Sequence, residues 1–239
     1  MNVTNVMEDI RELLTTGEQK FEYRGLTVDI TLDFHPCNPR EWCDPLFYEL
    51  IERQNRYSFK DGDLDVRDID EYLCSKSYLY NLAWEQDFEE YMSDGDKLQF
   101  MENTAEDLGC FIHKLFVYDH SGVSLSLGRT CSWDSSFCGY VFIDAETMKS
   151  DYSGDYDKAI KSVNAYINEY NCYLSGDVYF CRVYRAGEGL EQSHGFTLSR
   201  DEEEIDCCSG FYGYQHDENG LGGFVCKSMN SYFLKGGIK

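Results

Sequence analysis

The stretch from Cys110 to Asp144 constrains the fold of this chain more than any other. Phe111–Tyr118 is rich in aromatic and β-branched side chains that alternate in two-residue steps, as in a β-strand. Asp119–Gly122 supplies turn residues, Val123–Leu127 alternates again, and Phe137–Ile143 is a third apolar run after a polar loop. The stretch therefore predicts three strands that pair as an antiparallel meander.

The flanking segments add helices and further strands. Helical spacing of apolar residues predicts α-helices over residues 5–15 and Tyr156–Leu174. Alternating residues predict a hairpin of Phe21–Tyr23 and Leu26–Phe34. The nearly continuous apolar run Val178–Tyr184 is typical of a central strand that is buried on both faces.

Together these elements predict an α+β fold, in which an antiparallel sheet is covered by helices. The sheet would combine the meander with the strands at Val178 and Phe211, and the Tyr156 helix would cover it. The N-terminal half is expected to be acidic and mainly helical. One helix would begin at Asp44-Pro45, and Arg67–Met92 would form a second, in one or two pieces.

A domain boundary is expected near residue 107. Residues 1–107 would form the acidic, mainly helical region with its N-terminal hairpin, and residues 108–239 an α+β sheet domain, unless the two are one continuous domain. Within the helical region, Ile69, Leu79 and Leu82 belong to one apolar set that would face the core.

Net charge is the strongest global constraint on function. The 239 residues include 44 acids and 21 Lys or Arg, for a formal charge of −23. Fifteen acids and three bases lie between Asp61 and Asp107, which is half of the net charge in a fifth of the chain. Solubility alone would spread acids over the surface, whereas grouped acids favour a surface for a basic partner; a solvated helix face stays open as the alternative. The acids expected to contact that partner are Asp87, Glu89, Glu90, Asp94, Asp96, Glu102, Glu106 and Asp107.

Eleven cysteines would indicate disulfides in a secreted chain, but other features argue against secretion. The N-terminus has no signal-peptide pattern, and no apolar run reaches the roughly 18 residues of a membrane span. We therefore expect a cytoplasmic protein with reduced thiols. His35, Cys37 and Cys43 lack the second ligand pair of a zinc site, and the loop at Asp61 lacks the Gly and Glu of an EF-hand. No metal or cofactor is predicted.

Asp119, His120 and Ser121 are the residue types of a hydrolase triad. Consecutive side chains of an extended segment point in alternate directions, so adjacency favours a turn over a triad. A structural role is also expected for Trp133 and Asp134, because Trp can anchor a loop and Asp can form hydrogen bonds with the loop backbone. A metal-dependent or hydrolytic enzyme that uses these two loops stays open as an alternative.

Residues 110–214 contain an Asp-His-Ser-Gly turn, in DHSGVSLS, and a Trp-Asp-Ser loop, in SWDSSFCGYVFID. The segments YLSGDVYFCRVY and IDCCSGFYGY follow. These segments resemble a family of uncharacterised acidic proteins of bacteriophages and other mobile elements of Gram-positive and gut bacteria. This chain differs from the family in having Ser136 at a glycine position. The resemblance implies a source for the chain and carries no activity.

The grouped acids and this resemblance lead to a prediction of function. We expect a phage or mobile-element counter-defence protein, more an inhibitor than an enzyme, that binds a host defence protein directly. Its target would be a bacterial immune nuclease complex, such as a CRISPR or restriction system, and the acids would act as a nucleic-acid mimic. Direct contact with nucleic acid or membrane is not expected. A structural or assembly protein is a further alternative, and the sequence leaves a homo-oligomer open.

Overall fold

The computed structural model divides the chain into two compact units. The split unit combines Met1–Cys37 with Gly176–Lys239, and the inserted unit is Asn38–Ser175. Residue 107, the expected domain boundary, lies inside the inserted unit, where the helix that it ends contacts the strand that follows. The structure describes residues 3–15, 19–41, 46–50, 64–86, 92–185, 189–193, 196–200, 203–216 and 218–234.

Helices and strands follow one another in a mixed order, with a 3-10 turn at Pro39–Glu41. In chain order the elements are α1 (Val3–Thr15), β1 (Lys20–Tyr23), β2 (Leu26–Leu32), β3 (Phe47–Glu49), α2 (Val66–Lys76), α3 (Tyr78–Glu85), α4 (Asp94–Asp107), β4 (Phe111–Asp119), β5 (Val123–Ser126), β6 (Ser135–Ile143), α5 (Ala145–Asp151), α6 (Tyr156–Ser175), β7 (Val178–Arg185), β8 (Gly189–Ser193), β9 (Phe196–Arg200), β10 (Glu203–Tyr212) and α7 (Leu221–Leu234).

The α+β class is confirmed, and so is the antiparallel pairing of the strands. Within the described residues the strands form two four-stranded sheets and the separate hairpin β8–β9. Sheet A has the order β1-β2-β7-β10, and sheet B has the order β3-β6-β4-β5. The expectation that the meander and β7 share one sheet is wrong. The meander itself is also wrong in its order, because β4 pairs with both β5 and β6 and is the middle strand of the three. The partner of β7 is the distant hairpin β1–β2, which no local pattern identifies.

Sheet A belongs to the split unit and packs on α1 and α7. The β1–β2 hairpin turns at Arg24 and Gly25, whose φ angles of 50° and 77° fit the predicted two-residue turn. The core on the helix-covered face consists of Ile10, Leu14, Phe21, Leu26, Val28, Ile30, Tyr179, Cys181, Val183, Phe211, Leu221, Val225, Cys226 and Met229. β7 is the central strand that the sequence predicts, since it pairs with both β2 and β10.

The prediction that β7 is buried on both faces is confirmed for one face and holds only in part for the outer face, where Val178 and Tyr184 are buried. Phe180 and Arg182 are only half-buried, because α1 and α7 both pack on the side of Cys181 and Val183. On this outer face the Arg182 guanidinium lies 4.2 Å from the ring centroid of Tyr184.

Sheet B belongs to the inserted unit and is covered on both faces. Phe111, Leu115 and Val141 pack on α6, whereas Ile112, Tyr140 and Phe142 pack on α2 and α4. The two sets alternate along β4 and β6, as the pleat of a strand requires. Residues 138–143 of β6 are consequently all buried.

The helix predicted from Asp44-Pro45 is wrong where it is described, because Phe47–Glu49 is an edge strand paired with β6. Asp44 and Pro45 themselves lie outside the described residues. Gly139 permits the pairing: its φ is +155°, and a Cβ there would lie 2.0 Å from the backbone oxygen of Tyr48. The Phe47 ring lies 5.2 Å from that of Tyr166 on α6, so burial against α6 outweighs the local helix signal.

The sequence analysis does not predict α7, because two glycines occupy its first turn. A Cβ on Gly222 would lie 3.2 Å from Leu14 Cδ1, so this glycine lets α7 approach α1 closely. Helices α1 and α6, in contrast, match their predicted spans closely.

Candidate functional site

The candidate partner surface is the layer of α2, α3 and α4 on one face of sheet B, named here the acidic helical layer. Its exposed acids on described residues are Glu71, Glu85, Asp94, Asp96, Glu106 and Asp107. Of the eight acids predicted to contact a partner, Asp87, Glu89 and Glu90 lie outside the described residues, and the other five are on α4.

Asp94 and Asp96 have a structural role at the start of α4. Ser93 caps the helix, and its Oγ donates to Asp96 Oδ2 over 2.6 Å in a reciprocal capping box. Both carboxylates lie in the first turn, where the helix dipole stabilises negative charge. These two acids therefore stabilise α4 itself as well as contributing to its charge.

Glu102 points into the protein. Its Oε1 accepts the hydroxyl of Tyr140 at 2.6 Å and lies 2.9 Å from Lys114 Nζ. Only 16% of its side chain is exposed. Glu102 thus joins α4 to β6 and β4, and its carboxylate is occupied by groups of the protein.

Glu106 and Asp107 stand at the opposite end of α4 and are exposed. The last turn of this helix contains no basic residue, and negative charge at a helix C-terminus is unfavourable. The Glu106 carboxylate also acts on Tyr156, whose pKa is raised, first by burial and then by this charge. These two acids cost α4 stability, which is the opposite of a capping role.

Each base of the acidic helical layer contacts a neighbouring group, and two of the three are in ion pairs. Arg67 forms a 2.6 Å ion pair with Asp65, and Lys76 forms one of the same length with Glu146 on α5. The hydrogen bonds from Lys76 and then Tyr72 lower the pKa of Glu146 to about 2. Lys97 lies 5.2 Å from the ring centroid of Trp84. The exposed acids therefore dominate the field of the layer.

Asp70 is a buried acid that the sequence analysis does not single out. It is 4% exposed and accepts the hydroxyl of Tyr80, at 2.5 Å, across the α2–α3 break. Burial raises the pKa of Asp70, although the Tyr80 hydrogen bond and Lys97 act in the opposite sense. The sequence does contain a signal for the burial of Asp70, because this acid follows Ile69 directly on the apolar side of α2.

The structure corrects the predicted apolar set of the helical region. The helix breaks at Ser77, which has extended backbone angles and caps α3 with its side chain. The break changes the phase of the helix, so that Tyr80 faces the core and is fully buried. Leu79 is 70% exposed and Leu82 36% exposed, although both were expected beside Ile69 in the core.

The two loops of the alternative, enzymatic hypothesis meet at one end of sheet B. The backbone N–H of Asp119 donates to the backbone carbonyl oxygen of Asp134 at 3.0 Å. His120 Nδ1 lies 3.8 Å from the carboxylate oxygen Oδ2 of Asp134. Cys131 Sγ contacts the same carboxylate oxygen at 3.7 Å. A nucleophilic dyad needs the imidazole against the thiol, whereas here both groups contact the carboxylate.

Hydrogen bonds explain why these loop residues come together. Ser121 has a φ of 62°, as the tight β4–β5 turn requires, and Ser135 Oγ accepts the Cys131 N–H at 3.1 Å. Trp133 is 91% exposed, so it does not anchor its loop against the described part of the chain, contrary to expectation. Across the described segments, no three His, Cys, Asp or Glu side chains are grouped as a metal site would require.

No family model, curated protein or solved structure matches this chain. The resemblance to phage and mobile-element proteins therefore stays a prediction. In the part of the chain that the structure describes, no helix is both long and apolar enough to cross a membrane.

Proposed function

We propose that the protein is a counter-defence protein of a phage or mobile element, which binds and inhibits a bacterial immune nuclease complex in the host cytoplasm. The partner is a basic surface of that complex, of the kind that normally takes nucleic acid. The acids of the acidic helical layer occupy it in place of phosphates. The complex is of an anti-CRISPR, anti-restriction or similar type.

The observation that carries the proposal is the pair Glu106 and Asp107 at the exposed C-terminal end of α4. Acids at this end oppose the helix dipole, and the last turn of α4 has no basic residue to offset them. Residues that reduce stability at the surface are expected where binding needs them. The ion pairs of Arg67 and Lys76 support the same conclusion, because a carboxylate beside each cation weakens its repulsion of a basic partner.

A plating assay tests the proposal. The protein is expressed in bacterial strains that each carry one nuclease-based defence system, and the plating efficiency of a restricted phage is measured. We expect plating to rise in at least one strain. The variant Glu106→Gln with Asp107→Asn should weaken binding to the purified nuclease complex by about tenfold at low salt, with a smaller effect at high salt.

The matched control removes two negative charges elsewhere. Asp151 and Asp157 are exposed acids of the inserted unit that lie outside the acidic helical layer. Asp151→Asn with Asp157→Asn should protect the phage as well as the unchanged protein does. Equal losses of protection in both variants would mean that only the net charge of the protein matters, and not the position of the acids. An absence of protection in every strain would refute the proposal.

A second candidate is an enzyme that uses the β4–β5 and β5–β6 loops, because His120, Cys131 and Asp134 converge there. His120→Ala and Asp134→Ala separate the two functions. The counter-defence proposal expects both variants to protect fully, whereas an enzymatic mechanism requires at least one of them to lose protection without loss of folding.

A further inference from the structure

Helix α3 is apolar on two opposite sides, and only one of them faces the protein. Tyr80 is fully buried and its ring stacks on that of Phe100 at 5.2 Å. On the other side, Tyr78 is 77% exposed, Leu79 70% and Leu82 36%. At 3.6 residues per turn these three side chains fall within an arc of about 100°. They are named here the α3 patch.

An exposed apolar arc on a helix is unusual for a soluble surface. A helix that is apolar all round is normally buried, and contiguous exposed apolar groups mark a binding surface. Ser77 caps α3 by accepting the N–H of Tyr80 on its Oγ, so the helix is held with this side outward. The patch is therefore presented by a defined helix rather than by a loop.

The rim of the α3 patch is acidic. Glu85 lies two helical turns from Tyr78, on the same side, and its Oε1 accepts Asn81 Nδ2 at 2.9 Å. Glu71 of α2 is exposed as well. The charges of Glu85 and Glu71 both act on Cys74, whose pKa is raised first by burial, then by Asp70 and then by these two acids. The nearby Lys76 is occupied by Glu146 at 2.6 Å.

We infer that the α3 patch binds a basic amphipathic helical segment of the partner protein, with apolar side chains on Tyr78, Leu79 and Leu82 and Lys or Arg side chains on Glu71 and Glu85. A partner helix with these two features matches both the apolar arc and its rim. A second copy of this chain does not, because each copy carries a charge of −23 and the acidic rims would repel each other. This inference rests on the proposed function, whose basic partner it describes.

Calorimetric titration with synthetic peptides tests the inference. The probe is a peptide of about five helical turns built from Leu and Lys, with Leu on one face. A second peptide has the same composition in an order without an apolar face. We expect the amphipathic peptide to bind one-to-one, and the reordered peptide to bind at least about tenfold more weakly.

Variants then locate the site. Leu79→Ser should weaken binding of the amphipathic peptide about tenfold, because burial of one Leu is lost. Phe34→Ser is the control, since Phe34 is 84% exposed in the split unit. It should leave binding unchanged. Circular dichroism of Leu79→Ser checks that this exposed substitution leaves the fold intact.

Three outcomes would overturn the inference: equal binding of both peptides, unchanged binding by Leu79→Ser, or a dimer in sedimentation that Leu79→Ser abolishes. The peptide titration needs no defence system, so it is independent of the plating assay. If the unchanged protein binds the peptide but protects no strain, only the counter-defence proposal is refuted. Full protection by Leu79→Ser together with unchanged peptide binding faults this inference alone.

Discussion

Sheet A and sheet B are both four-stranded and antiparallel, but among the described residues helices cover sheet A on one face and sheet B on two. The outer face of sheet A is finished by polar contacts, such as the 3.7 Å ion pair of Lys20 and Asp29. Sheet A shows that one helical layer suffices to form a core. The second layer of sheet B, which carries the grouped acids and the α3 patch, is the part of the fold most open to a role in binding.

The largest expected difference between the sheets concerns aromatic residues on their second faces. Phe142 of β6 is buried against Tyr48 and Tyr72, with ring centroids at 5.7 and 5.4 Å. Phe180 of β7 is half-buried on the outer face of sheet A. Phe142→Ala should lower the free energy of unfolding by about 3–5 kcal/mol and Phe180→Ala by about 1 kcal/mol.

Urea denaturation followed by tryptophan fluorescence measures the first effect directly. All three tryptophans, at positions 42, 84 and 133, lie in the inserted unit. Far-ultraviolet circular dichroism covers both units. Equal losses for the two phenylalanines would contradict the two-sided burial of sheet B.

The edge of sheet B depends on Gly139, which lies directly against the backbone of β3. Gly139→Ala places a Cβ 2.0 Å from the backbone oxygen of Tyr48, so β3 must move. We expect the free energy of unfolding to fall by about 2–4 kcal/mol. Gly128→Ala is the control, because its Cβ would meet no atom within 4 Å. A loss of similar size in the control, also measured by urea denaturation, would count against a specific clash.

The two sheets also close their edges differently. The Asn171 side chain of α6 accepts the backbone N–H of Leu125 at 2.7 Å and donates to the backbone oxygen of Leu125 at 2.9 Å. It thus satisfies the backbone of edge strand β5 as a neighbouring strand would. Edge strand β10 of sheet A is instead interrupted by two register shifts and carries acids at its start. Asn171→Ala should cost about 1–2 kcal/mol and increase self-association.

Thermal unfolding and light scattering over a range of protein concentrations check this prediction. Asn164→Ala on the same helix removes only a bond to the Ile160 oxygen of that helix. It should change stability by less than about 0.5 kcal/mol. Identical scattering from the two variants would mean that Asn171 does not protect the edge.

The smallest effect distinguishes the charges within the second layer of sheet B. Burial raises the pKa of Asp70 in the folded protein above the unfolded-state pKa of about 3.9. The protein therefore loses stability as pH rises from the unfolded-state pKa through the raised folded-state pKa, because the buried carboxylate becomes charged. The pKa of Glu146 is lowered to about 2, so its contribution is present above its unfolded value of about 4.3 and is lost as pH falls towards 2.

Denaturation of Asp70→Asn and Glu146→Gln at several pH values tests these signs. The stability of the unchanged protein relative to Asp70→Asn should fall as pH rises above about 4, and relative to Glu146→Gln it should fall as pH drops below about 4. Parallel curves for the two variants would show that the two carboxylates do not experience opposite environments.

Much of the secondary structure could be predicted because its signals are local. The alternation in Phe111–Tyr118, the Arg24-Gly25 turn and the helical spacing of Tyr156–Leu174 each act within a few residues. The candidate site could be predicted less well from the sequence. Sequence placed acids on a helix, but only the structure distinguishes Glu102, which bonds Tyr140, from the exposed Glu106.

The sequence by itself determined the α+β class, the three strands β4, β5 and β6, the long helix α6 and the concentration of acids before residue 107, since composition and periodicity are properties of neighbouring residues. Tertiary structure alone decided that β7 joins the N-terminal hairpin, that Phe47–Glu49 is a strand, and that Leu79 faces outward. Each of these depends on partners far along the chain or on one helix break at Ser77, and burial against such partners outweighs local preference.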